Sequence, residues 1–520
     1  MVLARPPATH RLALAAVCGV LFLTFLDNTI VSVALADMQT SLRSGVASLQ
    51  WIVDGYMLAF AGLMLTGGTL GDLLGRKRVL LAGVVVFCAG SLVSALAPDA
   101  RVLIVGRVVM GIGAAGCEPG TLSLIRQIYP DHRLRARALG VWTAVSGISL
   151  AVGPVLGGLL VGLSGWRGIF WFNLAFGALA LLTAAWSLPE SADHEGRSFD
   201  IPGLVAGAVT VTALTFAVIE GESAGFGTWW IALLFATAAA GCAGFIVIER
   251  HARDPVLPLE FIGRRTFSSA TLVAFTTSFG LFAVFFFTAL YLQIVAHFTG
   301  WKIALQFVPM ALAMVVSGWA SGRLTASRGP RAPMLIGCLS AGAGMFAVAS
   351  LLDPHARLAP LAAALALVGF GLGLALVAVT AGVLAAVPAQ RSGMAASTLN
   401  TARELGGVLA VAVLGAVVNG RLVSELGTKL TALGVPSIFH SLVIHDITRG
   451  GLPANAAAAE AANPIVAAYP TLVSRVLDAA VSSFGSGVHA TLVLAGAILL
   501  LGAVVSLGAD AERPADAQPL

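Results

Sequence analysis

Long apolar runs separated by short polar turns fill this sequence and constrain its fold more than any other feature. A helix needs about 20 mostly apolar residues to cross a bilayer, and fourteen such runs are present. Charged residues make up 11% of the chain, against about 25% in a typical soluble domain. We therefore predict an all-α polytopic membrane protein. The predicted spans are 11–36, 49–70, 79–97, 101–123, 137–161, 168–188, 202–220, 229–249, 267–297, 302–324, 333–352, 357–384, 396–419 and 487–508.

The positions of Lys and Arg predict which ends of the spans face the cytoplasm. With the N-terminus inside, cytoplasmic segments hold 20 of the 30 Lys and Arg, and short external loops hold 5. Cytoplasmic loops of membrane proteins carry this kind of excess. We expect both termini in the cytoplasm and the protein in the cell (inner or plasma) membrane.

The order of the spans predicts two six-helix bundles with an inserted helix pair between them. Gly71–Arg78 and Gly322–Arg331 are Gly/Arg turns at equivalent places in the two halves. Paired halves around a midplane site are usual in secondary transporters. The predicted units are an N-terminal bundle at 1–190, the inserted pair and a cytoplasmic linker at 191–266, a C-terminal bundle at 267–510 and a cytoplasmic tail at 511–520.

Residues 420–486 are too polar to span a membrane. Apolar residues recur there at helical spacing over 422–433 and again over 473–484, which predicts two amphipathic helices. We expect these helices to lie at the outer interface, joined by an Ala-rich stretch around 456–462. A poorly ordered external loop is the alternative.

A glycine-rich basic turn joins the second and third spans. Gly68 and Gly71 permit close helix contact, and Gly75 permits a tight turn. Asp72 is placed to accept from a helix N-terminus or an Arg of the neighbouring bundle. Such a latch, broken when the bundles separate, suits a gate, and the alternative is a plain basic loop that sets topology. The predicted gate residues of this turn are Gly68, Gly71, Asp72, Gly75, Arg76 and Lys77.

The fifth span carries a second glycine motif. Gly-x3-Gly spacing gives a smooth face for close packing, and a proline inside the helix permits a kink. A pliable helix between the bundles suits an alternating-access hinge, although a static packing seam fits equally. The residues are Gly147, Gly153, Pro154, Gly157 and Gly158.

These motifs resemble those of a known family. Gly68–Arg78 resembles the signature loop of the major facilitator superfamily, and Gly147–Gly158 is similar to the fifth-helix motif of its antiporters. Leu26–Val31 is similar to the first-helix motif of its fourteen-helix drug:proton antiporter branch. Ala36 and Met110 stand where that branch usually has Pro and Gln. The resemblance implies a major facilitator fold, multidrug efflux and antibiotic resistance.

Two ionisable residues lie at compatible depths inside predicted spans. Asp27 falls in the outer half of the first span, and Arg107 lies about six residues into the fourth. Charged residues inside a bilayer are rare and usually functional. A bundle motion that changes their separation would make Asp27 a proton carrier. A permanent structural ion pair is the alternative.

Glu118 and Glu404 are further candidates for proton coupling. Glu118 lies toward the inner end of the fourth span, where related antiporters often have an apolar residue. Glu404 follows Arg403, which is counted with the cytoplasmic arginines at the inner end of the thirteenth span. A local salt bridge or an interface charge is the alternative for Glu404.

A substrate cavity is expected between the bundles, with apolar walls and few polar groups. For the aromatic side chains on the ninth span, the alternative to lining this cavity is to face the lipid. The candidate cavity residues are Asn28, Asp54, Phe286, Tyr291, Gln293 and Asn400.

The sequence lacks the phosphate-binding loop Gly-x4-Gly-Lys-(Ser/Thr), so an ion gradient is the expected energy source. The protein is predicted to be a proton-driven antiporter that exports lipophilic or cationic drug-like molecules by alternating access. The proton is the coupling ion, and we expect no cofactor, no metal site and no enzyme activity. The expected partners are a small-molecule or lipid substrate and membrane lipids but no nucleic acid, and the chain is expected to be a monomer.

Two other functions stay open at this point. An exporter or flippase of a lipid or native metabolite would use the same coupling. A non-transporting membrane receptor on the same fold would not need the gate and hinge motifs.

Overall fold

The computed structural model describes residues 8–42, 44, 46–190, 200–252, 257, 259–296, 298, 300–353, 358–388, 391–436, 440 and 470–510. These residues form helices and turns, with no strand among them. A helix satisfies its backbone hydrogen bonds internally, which apolar surroundings demand. The helices are α1 (Ala8–Leu42), α2 (Val46–Leu74), α3 (Arg76–Ala95), α4 (Ala100–Ile128), α5 (His132–Ser164), α6 (Arg167–Ser187), α7 (Ile201–Ala224), α8 (Trp229–His251), α9 (Leu259–Gly263), α10 (Arg265–Ile294), α11 (Gly300–Arg328), α12 (Arg331–Leu351), α13 (Leu358–Ala385), α14 (Ser392–Ala432) and α15 (Pro470–Ser506).

Each predicted span coincides with one long helix, and the prediction of an all-helical membrane protein is confirmed. Within the described residues, twelve helices are long and apolar enough to cross a membrane. The number rises to thirteen when the two parts of α2, which meet at 49°, are taken as one span. The count of fourteen spans stays a prediction.

The long helices pack in two groups. In the N bundle (α1–α6), α4 packs on α2 and α3, and α1 packs on α5 and α6. In the C bundle (α10–α15), α13 packs on α11 and α12, and α15 packs on α10, α12 and α14. The bundles meet along α5 against α11 and along α2 against α14.

The pair α7–α8 covers one of these two seams. α7 packs on both α2 and α14, while α8 packs mainly on α7. Gly62 of α2 lies directly against Thr212 of α7, and Val218 of α7 lies in a cluster with Val408 and Ala412 of α14. The inserted pair therefore contacts both bundles.

The structure corrects the expectation of flat amphipathic helices in 420–486. α14 continues without a break for 41 residues, or about 60 Å at 1.5 Å per residue, twice the thickness of the hydrocarbon core. Leu426 and Leu430 are fully buried among residues that include Ala480 of α15. Their apolar stripe is thus covered by a neighbouring helix and not by lipid. We call residues 420–432 and 470–484 the projecting pair; the stretch around 456–462 lies outside the described residues.

The opposite end of the molecule from the projecting pair carries the basic turns. The turns after α2, α4, α11 and α13 all lie there, and we call it the arginine-rich end. It includes Arg76, Arg126, Arg135, Arg264, Arg328, Arg331 and Arg391.

Candidate functional site

A buried ion pair joins α1 and α4 in the N bundle. The Arg107 guanidinium donates to Asp27 Oδ2, and the Asn173 amide of α6 donates to Asp27 Oδ1 at 2.7 Å. Arg107 Nε donates to the Ile52 carbonyl at 2.9 Å, and its guanidinium lies 4.4 Å from the centre of the Tyr56 ring. Asp27 is 0% exposed and Arg107 is 1% exposed. Two charges that would be unfavourable alone in an apolar interior thus compensate each other.

All partners of this ion pair belong to one bundle. Asp27, Arg107, Asn173 and Tyr56 come from α1, α4, α6 and α2 respectively. A rigid rocking of one bundle against the other would therefore leave the Asp27–Arg107 distance unchanged. The expectation that bundle separation itself opens this pair is corrected: a change must include movement of helices within the N bundle.

A second group of charged side chains lies where the two bundles meet. Glu118 of α4 interacts electrostatically with Arg403 and Glu404 of α14. Arg403 donates to Thr380 Oγ1 at 2.6 Å and to Asn400 Oδ1 at 3.3 Å. All three charged side chains are more than nine-tenths buried. Charged side chains of both bundles thus lie close to one another at this interface.

The position of Arg403 differs from its predicted place at the cytoplasmic boundary. It is the twelfth residue of α14, about 17 Å along the helix at 1.5 Å per residue. Among the described residues it forms no salt bridge with Glu404, because its guanidinium turns toward α13 and Asn400. Of the two alternatives for Glu404, its position beside Glu118 of the other bundle fits an interface charge, and no local salt bridge is among the described contacts.

A small cavity between the bundles adjoins Arg403. It has room for about one water molecule. Its walls come from α1, α5, α10, α11, α13 and α14, so both bundles contribute. The lining residues are Phe25, Trp142, Ser146, Gly147, Leu281, Met314, Leu376 and Arg403.

Most of the predicted cavity residues lie elsewhere. Phe286 is 46% exposed on the outside of the bundle, and Tyr291 is buried in the core of the C bundle. Asn28 and Asp54 are half-buried and do not line the cavity. Asn400 is buried beside Arg403 and so lies next to the cavity. The Gln293 side chain lies outside the described residues.

The turn after α2 connects the bundles at the arginine-rich end. Asp72 accepts from Arg76 at 2.8 Å through Oδ1 and from the backbone N–H of Met394 at 2.8 Å through Oδ2. Met394 lies in the first turn of α14, in the other bundle. Lys77 donates to the Ala185 carbonyl of α6 at 2.7 Å, within its own bundle. The predicted placement of Asp72 at a helix N-terminus of the opposite bundle thus corresponds to a direct contact.

Among the glycines of this turn, Gly75 has the turn conformation predicted for it, whereas Gly71 does not make the predicted close helix contact. Gly75 has a φ of 108°, and a Cβ there would lie 2.6 Å from Glu190 Oε1. Gly68 is buried, but Gly71 has only ordinary van der Waals neighbours. On α2, a close approach to α4 occurs at Gly67, which lies directly against the Ala115 carbonyl. On the α2 side, close contact near this turn therefore involves Gly67 and not Gly71.

The glycines of α5 divide between two partners. Gly153 and Gly157 lie against Thr29 and Ile30 of α1, within the N bundle. Gly147 faces Met314 of α11 in the C bundle, and a Cβ there would lie 3.2 Å from Met314 Cε.

Gly158 has open space around it, so the expected contact face does not extend to it. The Pro154 side chain lies outside the described residues. The contact surface of these glycines thus lies partly within the N bundle and only partly between the two bundles.

Sequence reasoning missed Asn173, Tyr56 and the depth of Arg403. Asn173 is the one amide in the apolar run of α6. A single amide in such a run indicates a buried polar contact and could have identified this residue. Nothing in the sequence around Tyr56 distinguishes it from an aromatic residue at the membrane interface. No group of three or more metal-ligating side chains occurs in the part of the chain that the structure describes.

Comparison with known proteins places this geometry in a family. Residues 17–411 match the Major Facilitator Superfamily. The chain is 36% identical over 422 residues to the multidrug resistance protein Stp of Mycobacterium tuberculosis (strain CDC 1551 / Oshkosh), covering 81% of this chain and 78% of that protein. It is 30% identical over 492 residues to the tetracenomycin C resistance and export protein of Streptomyces glaucescens, covering 93% and 88% of the two chains.

The fold also matches a solved structure. The human organic anion transporter MFSD10 (TETRAN) superposes with a TM-score of 0.62 at 15% identity, covering 96% of this chain and 100% of that one. This likeness shows the fold alone. The family match confirms the resemblance seen in the sequence motifs: the chain is a multi-pass membrane transporter, not an enzyme, and belongs to the Major Facilitator Superfamily.

Proposed function

We propose that this chain is a proton-driven antiporter that exports lipophilic or cationic drug-like molecules by alternating access. The observation that carries the proposal is the fully buried Asp27 carboxylate, paired with Arg107 and Asn173. Ionisable groups inside a membrane protein commonly form proton relays. The names of the relatives, a multidrug resistance protein and a resistance and export protein, support the class of cargo.

Protonation of Asp27 is the coupling step of this proposal. A proton on the carboxylate removes its charge and weakens the hydrogen bonds from Arg107 and Asn173. Arg107 then keeps the Ile52 carbonyl and the Tyr56 ring as partners. Because Asp27 is the partner from α1 in this pair, α1 becomes free to shift relative to α4.

Two neighbours of Asp27 on α1 offer a route from the proton to the bundle interface. Phe25 lines the central cavity together with Leu281 and Met314 of the C bundle. Thr29 lies against Gly153 of α5, and α5 packs along α11. A shift of α1 would therefore change both the cavity wall and the helix that contacts the other bundle.

The same geometry supports the proposed cargo. Phe25, Trp142 and Leu376 give the cavity aromatic and apolar walls that suit lipophilic molecules. Arg403 lines the cavity, and Glu118 and Glu404 interact electrostatically with it; in a widened cavity these carboxylates could bind a cationic group. The cavity must widen to hold a drug-sized ligand, as separation of the bundles would allow.

The proposed orientation puts the arginine-rich end in the cytoplasm. The bundles are joined there by Asp72 and Met394. In this state substrate release and proton entry would occur from the opposite, outer side.

Reconstituted vesicles test the proposal directly. A lipophilic cationic dye and a fluorescent lipid are followed in parallel while an inward proton gradient is imposed or collapsed with an ionophore. We expect gradient-dependent dye movement, accompanied by proton flux in the opposite direction. Equal dye movement, to the same final level, with and without the gradient would contradict proton coupling, and movement of the lipid alone would favour a flippase.

A further inference from the structure

The short connection between α13 and α14 leaves two helix ends in need of hydrogen-bond partners. α13 ends at Ala385 and α14 begins at Ser392. The first N–H groups and last carbonyls of a helix have no partner inside it. The N-cap residue of α14, Arg391, supplies no side-chain cap. Local bonds satisfy some of these groups, since the Ala386 N–H donates to the Gly382 and Val383 carbonyls, and others are bonded from outside the connection.

The N bundle supplies a partner for each end. Asp72 accepts from the Met394 N–H near the start of α14. Arg126, in the last turn of α4, donates to the Leu384 carbonyl at 2.6 Å and to the Val387 carbonyl at 3.0 Å. An acid at a helix N-terminus and a base at a helix C-terminus both match the helix dipole. Opposite charges of one bundle thus hold the two ends of a single connection in the other.

We propose that Arg126 is a second latch residue of the gate, which stabilises the state in which the bundles are joined at the arginine-rich end. Its two hydrogen bonds cross between the bundles, so they must break whenever α4 and α13 separate. The Arg126 and Asp72 contacts lie on the same connection and would open in the same movement. The inference rests on the alternating-access part of the proposed function and does not depend on proton coupling.

Arg264 offers a matched control because it caps the same region from within the C bundle. It precedes α10 and donates to the Ala386 carbonyl at 2.8 Å. Arg264 belongs to the same bundle as α13, so its hydrogen bond survives bundle separation. If Arg126 is a latch, its removal changes the balance between joined and separated bundles, and removal of Arg264 does not. If both arginines only cap a helix end, neither removal changes that balance.

Distance measurements between spin labels distinguish these roles. Labels are placed at Leu74 of α2, which is 48% exposed, and at Ala326 of α11, also exposed, in a full-length background without the native cysteines. We expect Arg126→Ala to raise the ratio of separated to joined populations by about tenfold, the effect of losing a charge-assisted hydrogen bond. Arg126→Lys should retain part of the latch, and Asp72→Asn should shift the populations in the same direction.

The control variant and thermal unfolding complete the test. Arg264→Ala is expected to leave the population ratio unchanged, even if it lowers the unfolding temperature. A separated population that is equal in the parent, Arg126→Ala and Arg126→Gln would overturn the latch while leaving alternating access intact. A single joined population in every variant and at every pH tested would contradict both the latch and alternating access.

Discussion

Gly153 of α5 lies so close to Thr29 of α1 that a Cβ at position 153 would overlap the Thr29 hydroxyl oxygen. Thr29 is two residues beyond Asp27, the candidate proton carrier. The antiporter-like motif of α5 therefore touches the helix segment that carries the buried carboxylate. The contact gives the motif a physical role in positioning α1.

Gly153→Ala should disturb this contact. Forcing a methyl group into a closely packed site typically lowers stability by about 1–3 kcal/mol. We expect a lower unfolding temperature in detergent and slower transport. Gly158→Ala, at a position with open space, is the control and should change neither. Equal behaviour of the two variants would show that the α1–α5 contact has no special role.

Asn173→Ala should slow proton-coupled transport. The Asn173 amide donates to Asp27 Oδ1 at 2.7 Å, and a hydrogen bond to a charged group is worth about 1.5–3 kcal/mol. Without this bond the Asp27 side chain is positioned less firmly between α4 and α6. We expect a lower rate of dye-driven proton flux in reconstituted vesicles. Ser91→Ala, which removes the buried hydrogen bond from Ser91 to the Phe170 carbonyl of α6, should leave the rate unchanged; an equal loss there would argue against a specific role of Asn173.

Glu118→Gln tests the charged group between the bundles. Glu118 is buried and interacts with Arg403 and Glu404 across the interface. We expect the variant to lose one titration from the pH profile and to select less strongly for cationic dyes over neutral ones. Glu260→Gln, at an exposed position of α9, serves as the control. An unchanged profile and unchanged selectivity would make Glu118 a structural residue.

Leu426→Ala tests the projecting pair. Leu426 is fully buried against α15, and truncating a buried Leu costs about 2–5 kcal/mol. Val423 of the same helix is 39% exposed, so Val423→Ala should change stability by less than about 0.5 kcal/mol. Thermal unfolding measures both. Similar small losses for the two variants would fit helices lying separately at a lipid interface.

The sequence predicts the helices well because their signal is local. The lengths and apolar character of the runs place fourteen long helices within a few residues, except that α14 and α15 extend well beyond their predicted spans. The stripe at Leu422–Leu433 has the same helical spacing whether lipid or another helix covers it. Only the packing of α14 on α15 distinguishes these cases.

The site is only partly predictable from the same information. Asp27 and Arg107 stand out because a charge inside an apolar run needs a partner at the same depth. The sequence also places both in the predicted N-terminal bundle at 1–190. That Asn173 and Tyr56 complete the surroundings of the pair follows only from the packing of the helices. Arg403 was misplaced because the start of α14 lies earlier than its apolar run suggests, and a basic residue near a helix end resembles a loop arginine.

The central claim is that Asp27 carries the coupling proton, and substrate-driven proton flux in reconstituted vesicles tests it most directly. Asp27→Asn preserves the shape of the side chain, but an amide cannot bind and release a proton as a carboxylate does. Asp37→Asn makes the same change on α1, where Asp37 accepts from the Trp166 N–H at 2.9 Å. We predict that a dye gradient drives no proton flux in Asp27→Asn, while Asp37→Asn retains it and all variants insert into vesicles equally. Undiminished dye-driven proton flux in Asp27→Asn would contradict the account.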